Sequence, residues 1–389
     1  MNTSIVGLFF GDEAKGKITD LLSSDYDIVV RYSGGANAGH TVRFNDKTYK
    51  LHQLPTGYLS GKESVLANGM VLNPISLAKE IQNYKTSAPL FISDRAHAVM
   101  PWHIVCDAKQ GDGIGTTKKG IGPCYADKMH RWNAIRMGDL VRKLIDAKFQ
   151  NFFATDEIFH GNKLWTDYKT AADMLYPFIC DTGEKLRKDV KDGRNILFEG
   201  AQGIGLDVDH GFSYPYVTSS GVGPSAIPQS CGLPNLHLDR IIGVMKCYTT
   251  RVGEGPFPGE LGIINSYHLD LRFALCKEIA DRIREKGNEY GTTTGRPRRI
   301  GWVDFRLLKY AIDVTGTTEI ALMHADTLCG IDRIGFIDTD GELKYTPGWN
   351  TIEDPALMKY IEIIEEKSGV PVTILSYGPD RNDTKYLNL

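Results

Sequence analysis

Two glycine-bounded units in the first forty residues restrict this chain more than any other feature. Residues 5–10 form an apolar run that stops at glycine, and residues 18–22 follow with helical spacing. Residues 27–32 form a second run, rich in β-branched side chains, which again runs into glycine. Strand, glycine loop, helix and strand in this order predict an α/β fold. Its large, mostly parallel central sheet would be flanked by helices and carry a P-loop-like nucleotide site at the carboxyl ends of the strands.

Further strands are expected at 64–67, 90–93, 196–199, 240–248, 319–324 and 372–376. Residues 140–190 are charged, aromatic and glycine-poor, and read as a helical excursion. Residues 331–350 alternate weakly and read as a small β-hairpin excursion turning at Asp340-Gly341. No repeat, low-complexity segment or linker interrupts the pattern, so residues 1–389 read as one large domain.

Composition removes several function classes. Hydrophobic residues make up 42% and charged residues 24%, a balance that sustains a packed core and excludes disorder. A net charge of −3 gives no general attraction to nucleic acid, so any polyanion site has to be local. Seven scattered cysteines without a Cys-x-x-Cys read as reduced thiols of a cytoplasmic protein. No apolar run has membrane-spanning length, and the first residues lack a basic segment with a signal core, so neither membrane insertion nor export is expected.

The loop Gly11-Asp12-Glu13-Ala14-Lys15-Gly16-Lys17 has P-loop spacing, with Ile18 where a Ser or Thr would ligate magnesium. Glycines let backbone N–H groups converge on phosphate oxygens, and a helix N-terminus adds positive potential. Asp12 is the odd member. A carboxylate inside a phosphate cradle is unfavourable unless a cation offsets it, and Mg2+ would do so. Asp12 then ligates the metal, acts as a base, or both; the plainer alternative is a helix N-cap. His40 follows a loop of small residues around Asn37 that permits close backbone approach, which makes it a candidate acid catalyst.

Later clusters add binding chemistry. Residues 115–123, with Thr116 and Thr117, suit a second phosphate, or else form a surface turn with solvated lysines. Gln202 follows a strand and suits a purine edge; Thr218 suits a phosphate. Thr292, Thr293 and Thr294 stand beside Arg296, Arg298 and Arg299, whose guanidinium forks match carboxylates or phosphates. Glycines at both ends of that segment suggest a loop that closes on its ligand. Asp326 ends one strand and suits a guanine edge, while Ser376 and Gly378 end another and complete a base pocket.

The chain resembles the adenylosuccinate synthetase family, in motifs that run in family order from residue 5 to residue 384. They include Gly-Asp-Glu-x-Lys-Gly-Lys, Asn-Ala-Gly-His-Thr, Gly-Thr-Thr-x-x-Gly-Ile-Gly-Pro, Glu-Gly-Ala-Gln-Gly, Arg-Val-Gly-x-Gly-Pro-Phe-Pro and Thr-Thr-Gly-Arg-x-Arg-Arg. The resemblance implies a C–N bond-forming ligase. Asp12 would remove the N1 proton of IMP, and O6 would attack the γ-phosphate of a nucleoside triphosphate beside His40. The amino group of L-aspartate would then displace phosphate from C6. Lys15 and Gln202 would join Asp12 and His40 as catalytic residues, with Mg2+ on Asp12 and the Gly39 carbonyl.

By the same resemblance, the triphosphate would lie against Gly11, Asp12, Glu13, Ala14, Lys15, Gly16, Lys17, Gly39, His40 and Thr41. Its base would face His324, Asp326, Ser376 and Gly378. The acceptor nucleotide would be held by Asn37, Thr116, Thr117, Gln202, Thr218 and Arg296. Arg131 would reach the acceptor phosphate of a partner subunit in a homodimer. Aspartate would meet Thr292, Thr293, Thr294, Arg296 and Arg298.

The sequence departs from the family pattern in three places. Met323-His324-Ala325-Asp326 stands where the family has Thr-Lys-Leu-Asp, which removes the lysine that lies along guanine and leaves GTP and ATP both open as donor. Gly221-Val222-Gly223-Pro224-Ser225 stands where Asn-Thr-Thr-Ala-Gly-Gly is usual, near the acceptor. Ala14 replaces a glycine. These changes resemble a phage branch that acts on dGMP and feeds 2,6-diaminopurine into DNA, whose location would be the host cytoplasm. That branch often carries a small residue for the catalytic aspartate; Asp12 is retained here, which favours IMP over dGMP. A P-loop GTPase or binding module using residues 11–17 and Asp326 is the reading from another class, and Ile18 counts against it.

Overall fold

The computed structural model describes residues 1–44, 47–110, 115–141, 162–262, 271–291 and 295–387. Ten strands of these residues make one sheet, numbered in chain order: β1 (Asn2–Gly7), β2 (Ile28–Arg31), β3 (Glu63–Leu66), β4 (Leu90–Ser93), β5 (Ile179–Cys180), β6 (Ile196–Gly203), β7 (Arg240–Lys246), β8 (Glu319–Met323), β9 (Val372–Ser376) and β10 (Thr384–Tyr386). Across the sheet they lie in the order β10-β9-β8-β7-β1-β6-β2-β3-β4-β5. Every pairing is parallel except β9 with β10.

The strands are apolar without alternation because the sheet is covered on both faces. All four residues of β2 and all five of β8 are buried. Helix Lys15–Leu22 packs Ile18 and Leu22 onto Ile5, Val29, Leu197 and Val244 of four neighbouring strands. Ile18 is fully buried there, so the position that departs from the P-loop pattern serves the core. Helices Phe305–Thr315 and Pro355–Ser368 cover the β7–β8–β9 side around the buried Trp349.

Several helices start on a polar cap. Asn73, Asp181, Asp304 and Asp354 each accept a backbone N–H from the first turn of the helix that follows. Such a cap contributes about 1 kcal/mol. Helix Lys15–Leu22 has no side-chain cap.

β1 lies at the middle of the sheet, flanked by β6 and β7. The chain leaves β1 toward β2 on one side and returns through β6 to β7 on the other, so the strand order reverses here. In an open parallel sheet this is where the strand ends leave a crevice for ligands. Several candidate segments of the sequence lie at strand ends of this region: residues 8–14 after β1, 32–39 after β2, Gln202 within the end of β6, and His324 after β8.

The structure differs from the sequence expectations in two ways. Residues 140–190 do hold helices Asn162–Leu175 and Thr182–Lys191, but Ile179–Cys180 between them pairs with β4 as the outer strand; residues 142–161 lie outside the described residues. The stretch 240–248 is not one strand. It ends at Lys246, and Thr249–Arg251 pairs antiparallel with Arg299–Gly301. His40 follows the small-residue loop as expected, and it opens the strand His40–Phe44, which forms a hairpin with Lys47–Leu51. The hairpin expected at 331–350 is present, Arg333–Ile337 with Leu343–Pro347, closed by Gly341 N–H donating to Asp338.

Candidate active site

The loop after β1 takes left-handed backbone at Gly11 (φ 88°), Asp12 (φ 60°) and Ala14 (φ 67°). Such turns point successive N–H groups into one concavity, which favours anions. Glu13 sets the shape. Its buried carboxylate accepts from the backbone N–H of Phe9 (3.2 Å) and Gly11 (2.7 Å) and pairs with Lys15 Nζ at 2.7 Å. The Glu13 side chain therefore braces the loop from within, and contact with a phosphate at this position falls to the backbone. Ala14 occupies the N-cap without a side-chain cap bond, so Asp12 is not a helix cap; the Lys17 N–H donates to the Ala14 carbonyl.

His40 and Gln202 close the cradle from two sides. A Cβ placed on Gly16 would lie 3.3 Å from His40 Cβ, and one on Gly11 would lie 3.4 Å from Gln202 Cα. His40 is 6% exposed, and its Nδ1 meets Oε1 of the fully buried Glu199. Glu199 also accepts from Thr56 N–H (2.8 Å) and Thr56 Oγ1 (2.9 Å). Burial pulls the His40 ring below its ordinary pKa in spite of Glu199. Burial pushes the other way on Glu199, but His40 and the buried Arg31 outweigh it and hold the carboxyl below its usual range. The pair is thus a neutral imidazole donating Nδ1–H to a carboxylate, with Nε2 as the ring's remaining acceptor.

A cavity of about 950 Å³ opens over the cradle. Asp12, His40, Asn37, Thr116, Thr117, Gln202 and Thr218 all line it, as do Gly39 and Thr41, so the triphosphate and acceptor candidates share one space. Its size and mix of apolar wall with a few polar groups suit a small-molecule ligand. Gln202 takes left-handed backbone (φ 56°), and its Oε1 is buried without a hydrogen-bond partner. A buried orphan of this kind is costly unless a ligand satisfies it.

The remaining strand ends build a second site beside the first. Lys17 is 7% exposed and donates to Ser376 Oγ (2.7 Å), the Gly378 carbonyl (2.8 Å) and the Asp383 carbonyl (3.0 Å). Burial pulls its ammonium down to about 8. In this state Lys17 holds the loop after β9. Ala325 N–H donates to the Ser376 carbonyl, which brings His324 and Asp326 alongside. Burial raises the Asp326 carboxyl, and burial lowers the His324 ring to about 4, leaving it neutral.

Arg298 joins the two sites. It is 9% exposed, pairs through Nη2 with Asp12 Oδ2 at 2.9 Å, and through Nη1 with the buried Glu289. The other candidates are elsewhere. Arg131 is exposed at the end of helix Ile121–His130 and does not line its own chain's cavity. Arg296 is exposed on the segment that carries Gly291 into the cavity wall. Thr292, Thr293 and Thr294 lie outside the described residues.

Sequence reasoning missed Arg31, Lys246, Tyr248 and Glu289. Arg31 and Lys246 do carry a signal, because each is a cation at the end of a strand directly after an apolar run. Arg251 was visible only as part of a motif. It donates to the carbonyls of Glu254, Pro256 and Tyr216 and lies over the Phe10 ring at 4.5 Å, which ties the 214–218 wall to the cradle.

The sequence profile of the family described as adenylosuccinate synthetase matches residues 4–347. The chain belongs to the adenylosuccinate synthetase family. The adenylosuccinate synthetase of Caldanaerobacter subterraneus is 42% identical, with 98% of both chains covered. That of Clostridium acetobutylicum is 39% identical over 98% of this chain and 97% of the other. The structure of a fully ligated adenylosuccinate synthetase from Plasmodium falciparum superposes with a TM-score of 0.87 at 33% identity, covering 99% of each chain. A cyanophage S-2L succinoaminodeoxyadenylate synthetase, bound to dGMP and dATP as an energy donor, shares the fold with a TM-score of 0.72. It covers 99% of this chain and 95% of the other at 22% identity. Family membership makes this chain a C–N bond-forming ligase of purine biosynthesis and sets aside the GTPase-switch reading. No helix among the described residues is long and apolar enough to cross a membrane.

Proposed function

We propose that this ligase joins L-aspartate to C6 of IMP at the expense of a purine nucleoside triphosphate. The observation that carries the reading is that Asp12, His40 and the orphaned Gln202 amide line one cavity over an uncapped helix start. A helix N-terminus and left-handed turns bind phosphate through backbone N–H groups. Asp12 takes the N1 proton, which puts negative charge on O6. O6 attacks the γ-phosphorus, and the bond to the β,γ-bridging oxygen breaks. The amine of aspartate then adds at C6 and phosphate leaves with O6.

His40 stands at the transferring group. Its Nδ1–H is committed to Glu199, so the neutral ring presents Nε2 as an acceptor. A polyphosphate beside it draws a second proton onto Nε2, and the imidazolium then donates to the γ-phosphate. Positioning and charge neutralisation of this kind dominate phosphoryl transfer.

The residues fit Mg2+. Among the described residues no three His, Cys, Asp or Glu side chains cluster as a metal cage. Mg2+ prefers one or two carboxylates together with substrate phosphates and water. Asp12, with its carboxylate a third exposed, and the Gly39 carbonyl would hold it, and it would supply charge neutralisation at the phosphates.

Arg298 and Arg296 bind the carboxylates of L-aspartate, with Thr292, Thr293 and Thr294. His324, Asp326, Ser376 and Gly378 face the base of the triphosphate. Arg131 serves the acceptor phosphate of a second copy, which its absence from its own cavity supports. Met129 (73% exposed) and Trp132 (83%) flank it as an apolar surface suited to that contact.

The deciding experiment measures phosphate release with IMP or dGMP, aspartate, and GTP or ATP. Aspartate-dependent release that is fastest with IMP is expected. Preference for dGMP overturns the acceptor assignment, and release without aspartate overturns the ligase reading.

A further inference from the structure

We infer that Glu289 is a positioning residue that ties the reacting carboxylate, Asp12, to the donor-base pocket at His324. This inference rests on the ligase reading above. Glu289 lies just after helix Leu271–Lys286 and is fully buried. It accepts from Lys246 Nζ at 2.6 Å, from Tyr248 OH at 2.6 Å and from Arg298 Nη1. Lys246 is itself 2% exposed and also donates to Thr250 Oγ1 at 3.1 Å. A buried carboxylate with three donors costs much to disturb and holds each donor in one direction.

Two branches leave this hub. On one, Arg298 spans from Glu289 to Asp12 at 2.9 Å, and its backbone N–H donates to the Glu289 carbonyl at 2.9 Å. Arg298 is thereby aimed at the base that starts the reaction and at the space where the aspartate carboxylates bind. On the other branch, the only proton of Tyr248 goes to Glu289, so the phenol oxygen can only accept. It lies 3.3 Å from His324 Nδ1, which has Thr327 Oγ1 at 3.2 Å as its other neighbour. His324 has the Nδ1 edge of its ring held in place by the Tyr248 oxygen and the Thr327 hydroxyl together. It is also held in a left-handed backbone (φ 63°), which fixes where the ring starts. The ring beside Asp326 is thus oriented from the aspartate site through Glu289 and Tyr248.

The consequence is a division of effects between two substitutions. Tyr248→Phe keeps the ring and removes the hydroxyl that joins Glu289 to His324, while Lys246 and Arg298 stay on the carboxylate. It is expected to raise the KM of the triphosphate, or to change the GTP-to-ATP ratio of kcat/KM, by about tenfold. The aspartate KM should stay within about twofold. Glu289→Gln leaves Lys246 and Arg298 without their carboxylate, and Arg298 collapses onto Asp12. It is expected to raise the KM of both aspartate and triphosphate at least about tenfold. Circular dichroism and a melting curve for each protein separate these effects from unfolding. Titration with fluorescent GTP and ATP analogues reads the triphosphate branch without turnover, so the test survives failure of the ligase reading. That failure would show instead as wild-type protein without aspartate-dependent phosphate release. The inference is overturned if Tyr248→Phe leaves triphosphate affinity and donor choice unchanged, or if it changes aspartate and triphosphate KM alike.

Discussion

At the scale of single residues, the site is a set of charges held in place by other charges. Asp12 is the clearest case, because its carboxylate meets Arg298 and stands inside a concavity built for anions. Asp12→Asn keeps the shape and removes the base. Turnover should fall by about 10² to 10⁴ or more while triphosphate binding persists, measured by steady-state rates beside a binding titration. Glu199 anchors a second set. Arg31 is fully buried, donates Nη1 to the His52 carbonyl, and has no hydrogen-bond partner for Nε or Nη2 among the described residues. Glu199 and Glu80 oppose its charge from nearby. Glu199→Gln strands this cation and frees the His40 ring. A loss of about 3–5 kcal/mol in urea unfolding, with turnover reduced, is expected.

At the scale of elements, the cradle carries strain in one place. Ala14 caps helix Lys15–Leu22 with φ 67°, a region that costs a residue with a Cβ about 1–2 kcal/mol. Glycine would remove that cost and return about 0.4–1 kcal/mol of it through a freer unfolded chain. Ala14→Gly should therefore stabilise by up to about 1 kcal/mol, read from denaturant midpoints. Elements also show what was legible in the sequence. Residues 90–93 and 372–376 were read to the residue, because each is a short apolar run bounded by polar or turn-forming neighbours. The hairpin His40–Phe44 with Lys47–Leu51 was missed, since its second strand is mostly exposed and polar. Asp12 and His40 stood out in the sequence because they sit in or just after a glycine loop that follows a strand, and Gln202 because it lies between glycines at a strand end. Glu289 was not, because its meaning comes from partners 41 and 43 residues away in the chain, brought to it only by the sheet.

At the scale of the whole molecule, buried ionisable groups make stability depend on pH. Burial holds His40, His52, His103 and His324 below the ordinary value of about 6.5, with His324 at about 4. The unfolded chain regains the ordinary value and so binds more protons between these limits. Stability should therefore fall as pH drops from about 6.5 toward 4, and urea midpoints at pH 7.5 and 5.0 check it. Assembly is tested by mixing. Subunits with Arg131→Ala and subunits with Asp12→Asn are each nearly inactive alone. If sites are shared across a dimer, an equal mixture should recover about a quarter of wild-type turnover. The placing of Lys17 has one more implication. Its three acceptors lie 359 or more residues further along the chain. A ribosome must deliver Asp383 before that lysine finds its place, so a nascent chain cannot complete the Lys17 contacts until translation has passed this point.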